Sequence, residues 1–123
     1  MYESGEMYLE TILILGQRRN LVRAVDVAEE MKLSRPSVSR ALAKLRSEAC
    51  IIVDENGLIA FTEKGRAIAE KIYERHQVIT EVLTALGVDK AVAAADACKM
   101  EHDISDETFN AMKQHLQMRK KKA

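Results

Sequence analysis

The chain has no tryptophan, a single proline, five glycines and two cysteines, and aromatic residues make up 4% of its 123 positions. So little glycine and proline leaves scant material for a turn-rich all-β fold. Two cysteines, Cys50 and Cys98, are too few for a disulfide framework and suit a reducing cytosol. No apolar run approaches the roughly 20 residues of a membrane span, and Met1–Gly5 does not open as a signal peptide. An excess of either charge is also missing: 19 basic residues face 19 acidic ones. The length suits one domain, or a small domain with an assembly element, and is too short for a dinucleotide-binding domain plus a substrate domain or for a (β/α) barrel. The 47% of apolar residues that are present argue against disorder.

Their spacing is mostly helical. Glu6–Leu15 carries Met7, Leu9, Ile12, Leu13 and Leu15, and Val25–Met31 carries Val27, Ala28 and Met31 on one face. Lys32–Leu33 turns the chain. Ser34 is then placed as an N-cap, and Pro36 fits the first turn of a third helix over Arg35–Ser47, where a missing N–H does no harm. Val38, Ala41, Leu42 and Leu45 give that helix one buried stripe. Two short β-rich runs follow, Ile51–Asp54 and Leu58–Phe61, and Asn56–Gly57 between them is a strong turn signal. A long helix is expected over Glu63–Leu86 and ended by Gly87. An Ala-rich helix over Asp89–Glu101 comes next, and a last one is capped by Ser105.

The order helix, helix, turn, helix, hairpin predicts a winged helix-turn-helix. Its recognition helix opens with Arg35, Pro36 and Ser37 and continues through Ser39, Arg40 and Lys44, side chains suited to phosphates and to base edges. Asn56 and Gly57 form the wing tip beside the adjoining backbone. The zero net charge hides a local imbalance here. Gln17–Cys50 holds eight basic residues against four acidic ones, and Asp89–Glu107 holds six acidic against two basic. Phosphate binding depends on the local charge, so the basic segment suits double-stranded DNA. A helical protein-interaction module would carry a similar pattern.

A second constellation suggests a metal. Cys98, Glu101 and His102 are spaced i, i+3, i+4, which on a helix sets a thiolate, a carboxylate and an imidazole on one face. Met7 and Glu10 are spaced i, i+3 on the first helix, and His76 follows Glu74 on the long one. Singly, each has an ordinary reading: Met7 as core, Cys98 as a small apolar filler, Glu10 as a solvated acid, His76 as an interface or capping residue. Cys98 and His102 as nucleophile and base lack an oxyanion loop and an orienting third group, and neither a phosphate-cradling Gly-rich loop nor an HExxH pattern is present. The expectation is therefore no enzyme and no small-molecule substrate.

Four strings occurring in this order, EMYLETI, VDVAEEMKLSRPSVSRALAKLRSE, TEKGRAIAEKIYERH and GVDKAVAAADACKMEHDIS, resemble the metal-dependent repressors that include the diphtheria toxin repressor and the manganese transport regulator. The resemblance implies a mainly α fold. It implies a winged helix-turn-helix DNA-binding domain over residues 1–72 and a helical metal-binding and dimerisation domain over residues 73–123, the long helix linking the two. It implies Met7, Glu10, His76, Cys98, Glu101 and His102 as metal ligands. Met7 and Cys98 match iron-type members, whereas Glu10 matches the manganese branch. Thr80 and Ala94 stand where the iron-type ancillary site has Glu and His, and Glu10 is placed to compensate around His76. The form implied is the short one, without the SH3-like domain of longer members.

The function implied is a cytoplasmic homodimeric repressor of iron or manganese uptake genes, binding a palindromic operator. Fe(II) or Mn(II) is the effector implied, and Co(II), Ni(II) or Zn(II) would substitute in vitro. Ala91, Ala93, Ala94, Ala97 and the Phe109–Leu116 stripe suggest the subunit interface. The alternative is a winged-helix regulator responding to an organic ligand or to oxidation of Cys98.

Overall fold

The computed structural model describes residues 3–122; Met1, Tyr2 and Ala123, at the outer ends of the two expected domains, lie outside the described residues. Six helices and one hairpin follow in the order α1 (Glu3–Arg18), α2 (Ala24–Met31), α3 (Arg35–Ser47), β1 (Ile51–Val53), β2 (Ile59–Phe61), α4 (Glu63–Ala85), α5 (Lys90–Met100) and α6 (Asp106–Lys122). They form two compact units, Met1–Glu70 and Lys71–Ala123, with α4 running from the first into the second. No helix among the described residues is long and apolar enough to cross a membrane.

In the amino-terminal unit α1 packs on α2 and α3, and α2 packs on α3. Leu15, Val27, Val38, Leu42, Leu45 and Ile51 are buried. Lys32 ends α2 in the left-handed conformation (φ 57°), which lets the Leu33 N–H reach the Ala28 carbonyl and turns the chain sharply into α3. Ser34 caps α3 by accepting the Ser37 N–H at 3.3 Å, and Pro36 lies in the first turn. The strands pair antiparallel, with Ile51 opposite Phe61 and Val53 opposite Ile59. Each is a residue shorter than the sequence pattern suggests, because Asp54 turns its carboxylate onto the loop and accepts from the Asn56 and Leu58 N–H groups at 2.8 and 2.9 Å. Gly57 completes the turn at φ 80°. The hairpin is tied back by the Ile59 N–H, which donates to the Val22 carbonyl at 2.9 Å.

In the carboxy-terminal unit Ile72 and Ile79 of α4, Ala93 and Ala97 of α5, and Phe109 and Leu116 of α6 are all buried. Asp89 caps α5, and Ser105 caps α6 by accepting from the Thr108 N–H at 3.1 Å. Four residues that the pattern assigns to a subunit interface, Ala93, Ala97, Phe109 and Leu116, are thus core of the single chain. The other two interface candidates, Ala91 and Ala94, are exposed and half-buried, and the large apolar side chains exposed in this unit are Leu86, Val92 and Met118.

Candidate DNA-reading head and metal centre

In the amino-terminal unit the stripe Val38, Leu42 and Leu45 faces the core, so helical geometry turns the other side of α3 outward. Arg35, Pro36, Ser39, Arg40 and Lys44 are exposed there, and Ser37 is half-buried. Ser37 is already engaged: its hydroxyl accepts from Ser34 at 2.9 Å, and an Arg40 N–H points to it at 3.5 Å. It orders the start of the helix and steers Arg40. Asn56 is exposed at the wing tip beside the half-buried Gly57. Sequence reasoning missed Arg23. Its Nε donates to the Asn56 carbonyl at 3.3 Å, while its N–H is held by Asp26 at 2.9 Å. The residue before α2 therefore moors the wing tip, and an exposed arginine ahead of a helix gives no sequence signal of such a reach.

In the carboxy-terminal unit His76, on α4, meets the end of α5. Its Nδ1 lies 2.9 Å from Glu101 Oε2 and 3.8 Å from Cys98 Sγ. The three candidate ligand atoms lie within 4.8 Å of one another. Donors around one first-row divalent ion are at most about twice a 2.0–2.3 Å bond apart, so the cluster is near coordination size. Glu101 is fully buried, and its second oxygen, Oε1, lies 3.4 Å from His102 Nε2 and has no hydrogen-bond partner among the described residues. A buried carboxylate oxygen without a donor suits a cation, and sulfur, nitrogen and oxygen together suit a transition metal. α5 stops at Met100, but Glu101 keeps right-handed helical dihedrals as the C-cap; its carboxylate is grouped with Cys98 and His76, whereas His102 stands beside the other carboxylate oxygen.

Glu74 points away from this cluster and pairs with Lys113 at 2.9 Å. Thr80 turns its hydroxyl onto the His76 carbonyl at 2.7 Å. Met7 and Glu10 belong to α1 of the other unit, where Met7 is exposed and Glu10 buried.

The two cysteines differ. Cys50 is buried, and burial pushes its thiol up from the ordinary value, with Lys64 partly opposing; Cys98 is exposed. A maleimide at neutral pH is expected to label Cys98 and spare Cys50 in the folded protein, and to label both in denaturant. Excess Zn(II) should slow the Cys98 reaction. Mass spectrometry of the digested adduct checks both points, and equal labelling of Cys50 in the folded chain would contradict its environment.

Known proteins bear on both halves of the chain. Residues 1–57 match the iron dependent repressor N-terminal DNA binding domain, and residues 62–122 match the iron dependent repressor metal binding and dimerisation domain. The transcriptional regulator MntR of Escherichia coli O6:H1 is 33% identical over 86% of this chain and 68% of its own. The diphtheria toxin repressor of Corynebacterium efficiens is 30% identical over 87% of this chain, which spans 47% of that relative. The solved structure of the metal-dependent transcriptional regulator MtsR superposes with a TM-score of 0.84 at 28% identity, covering 92% of this chain and 53% of that one. That of the manganese regulator SloR gives a TM-score of 0.80 at 27% identity with the same two coverages. The chain belongs to the iron-dependent repressor family of metal-dependent transcriptional regulators.

Proposed function

We propose that the chain is a repressor of iron or manganese uptake genes whose DNA affinity is set by a divalent transition metal, Fe(II) or Mn(II). The observation that carries this reading is the cluster of His76, Cys98 and Glu101, with ligand atoms within 4.8 Å of one another. His102 beside Glu101 would complete the ligands of the carboxy-terminal unit. We assign Met7 and Glu10 to metal binding as well, from their i, i+3 spacing and the family resemblance. When bound, a divalent cation supplies the positive charge that offsets the carboxylates and joins their helices. The thiol and thioether lean toward Fe(II), and the oxygens of Glu10 and Glu101 moderate that lean. Co(II), Ni(II) and Zn(II) fit the same donors in vitro.

The DNA-facing residues are Arg35, Pro36, Ser37, Ser39, Arg40 and Lys44, with Asn56 and Gly57 at the wing. Exposed Leu86, Val92 and Met118 support a homodimer, and two-fold symmetry calls for a palindromic operator in the cytoplasm where the chromosome lies. No catalytic role is assigned to any residue.

The test is a mobility-shift titration, without oxygen, of a duplex from the promoter of the protein's own gene. Fe(II), Mn(II), Co(II), Ni(II) and Zn(II) are compared one at a time. At least one is expected to tighten binding, and by linkage the duplex must tighten the binding of that metal by the same factor. If none does, the metal-switch reading fails. With metal present, Arg40→Ala combined with Lys44→Ala is expected to flatten the slope of log affinity against log salt by about 2, one unit per lost phosphate contact. An unchanged slope would remove these two residues from the DNA interface. Oxidant-controlled binding in the absence of metal would favour the thiol-switch alternative.

A further inference from the structure

Arg75 precedes His76 on α4 and stands where the helical period calls for an apolar residue, between Ile72 and Ile79. It is buried, at 6% exposure. A guanidinium remains charged at any pH a protein meets, so its burial needs strong partners. Three acceptors surround it. Its Nη1 donates to the Glu101 carbonyl at 3.1 Å and to the Ile104 carbonyl at 2.7 Å, and its Nη2 donates to Asp106 Oδ1 at 2.5 Å. The guanidinium carbon also lies 5.3 Å from the centre of the Phe109 ring, a cation–π distance that helps fix the plane of the fork. Glu101 is consequently held at both ends by consecutive residues of α4. Arg75 holds its carbonyl, and His76 meets its carboxylate.

We propose that Arg75 is a positioning residue of the metal centre. By fixing the backbone of the turn from Glu101 to Ile104 and anchoring it to the start of α6, it sets where the Glu101 carboxylate and the His102 ring stand relative to His76 and Cys98. The inference rests on the reading of those side chains as metal ligands. Partners one step removed from a metal typically set its affinity by about 10- to 100-fold, because they fix ligand orientation in advance of binding.

Anaerobic Co(II) titration of the full chain tests it, with affinity from chelator competition and geometry from the thiolate-to-Co(II) absorption band. Arg75→Met should weaken Co(II) by about 10- to 100-fold and reduce the band. Arg75→Lys, which keeps the charge and loses the fork, should recover part of the affinity. Asp106→Asn weakens the exposed anchor, along with its surface pair to Lys71 at 3.3 Å, and leaves the core filled, so it remains informative if Arg75→Met does not fold; it should weaken Co(II) by about 3- to 10-fold. A residue that merely stabilised the fold would lower the melting temperature of the metal-free protein and leave Co(II) affinity alone. Wild-type affinity and an unchanged band in both Arg75→Lys and Asp106→Asn would overturn the proposal. A wild-type chain without the thiolate band, or a band that survives Cys98→Ala, would instead overturn the ligand reading itself, and this inference with it.

Discussion

Glu101→Gln is expected to separate metal binding from folding, with effects of opposite sign. Glu101 is fully buried, with one oxygen 2.9 Å from His76 Nδ1 and the other 3.4 Å from His102 Nε2. A buried carboxylate costs free energy that a neutral amide of the same shape does not. The metal-free variant should therefore melt at or above the wild-type temperature. The amide carries no negative charge, so divalent metal should bind at least about 100-fold more weakly, given that losing a mere supporting partner already costs about 10- to 100-fold. At metal concentrations about 100 times the wild-type dissociation constant, ligation stabilises the wild type by about 2.7 kcal/mol, and the variant should lose most of that increment. Melting curves with and without Mn(II) or Co(II), paired with the mobility shift, measure both effects. The contrary pattern, a lower metal-free melting temperature with metal-dependent DNA binding intact, would mean that Glu101 serves only to hold His76.

How much of this was visible in the sequence depended on the range of the interaction. The limits of α3 were readable because Ser34, Pro36 and the Val38, Leu42, Leu45 stripe are all local signals. The hairpin was readable from Asn56–Gly57. The ends of α1 were not. That helix runs over Glu3–Arg18, beyond the apolar positions of Glu6–Leu15, because polar residues in an end turn carry no periodic signal. In the candidate metal centre, Cys98, Glu101 and His102 are spaced i, i+3, i+4 and could be grouped by counting. The approach of His76, 25 positions before Glu101, is a tertiary contact, which no spacing rule encodes. Arg75 was overlooked because an arginine in a helix is ordinarily a solvated residue. Its one local signal is its place on the Ile72–Ile79 stripe, which becomes meaningful only when three acceptors are found around it.

The same logic of close approach makes Gly65→Ala the second large effect, and here the structure reverses what helix propensity predicts. Gly65 lies in the first turns of α4, where alanine would ordinarily be favoured by about 1 kcal/mol. A β-carbon at this position would stand 1.8 Å from the Cys50 carbonyl oxygen and 2.7 Å from its carbon. The obstacle is backbone, so no side-chain rotation relieves it. The Cys50 peptide is itself fixed, its N–H on the Leu45 carbonyl at 2.9 Å and its carbonyl accepting the Thr62 N–H at 3.1 Å. Thr62 adds a clamp from the other side, donating its hydroxyl to the Ala49 carbonyl at 2.6 Å and accepting the Gly65 N–H at 3.1 Å. Relief thus requires α4 to lift away from the start of β1, which breaks these bonds together, and a loss of about 2–4 kcal/mol is expected. Because β1 leads into the wing, DNA affinity should fall as well. Gly16→Ala is the control: Gly16 is also helical, on α1, but nothing lies within 4 Å of its added carbon, so propensity alone acts and a gain of about 0.5–1 kcal/mol is expected. Urea unfolding of the two variants should give shifts of opposite sign, and a Gly65→Ala chain as stable as wild type would refute the close contact between α4 and Cys50.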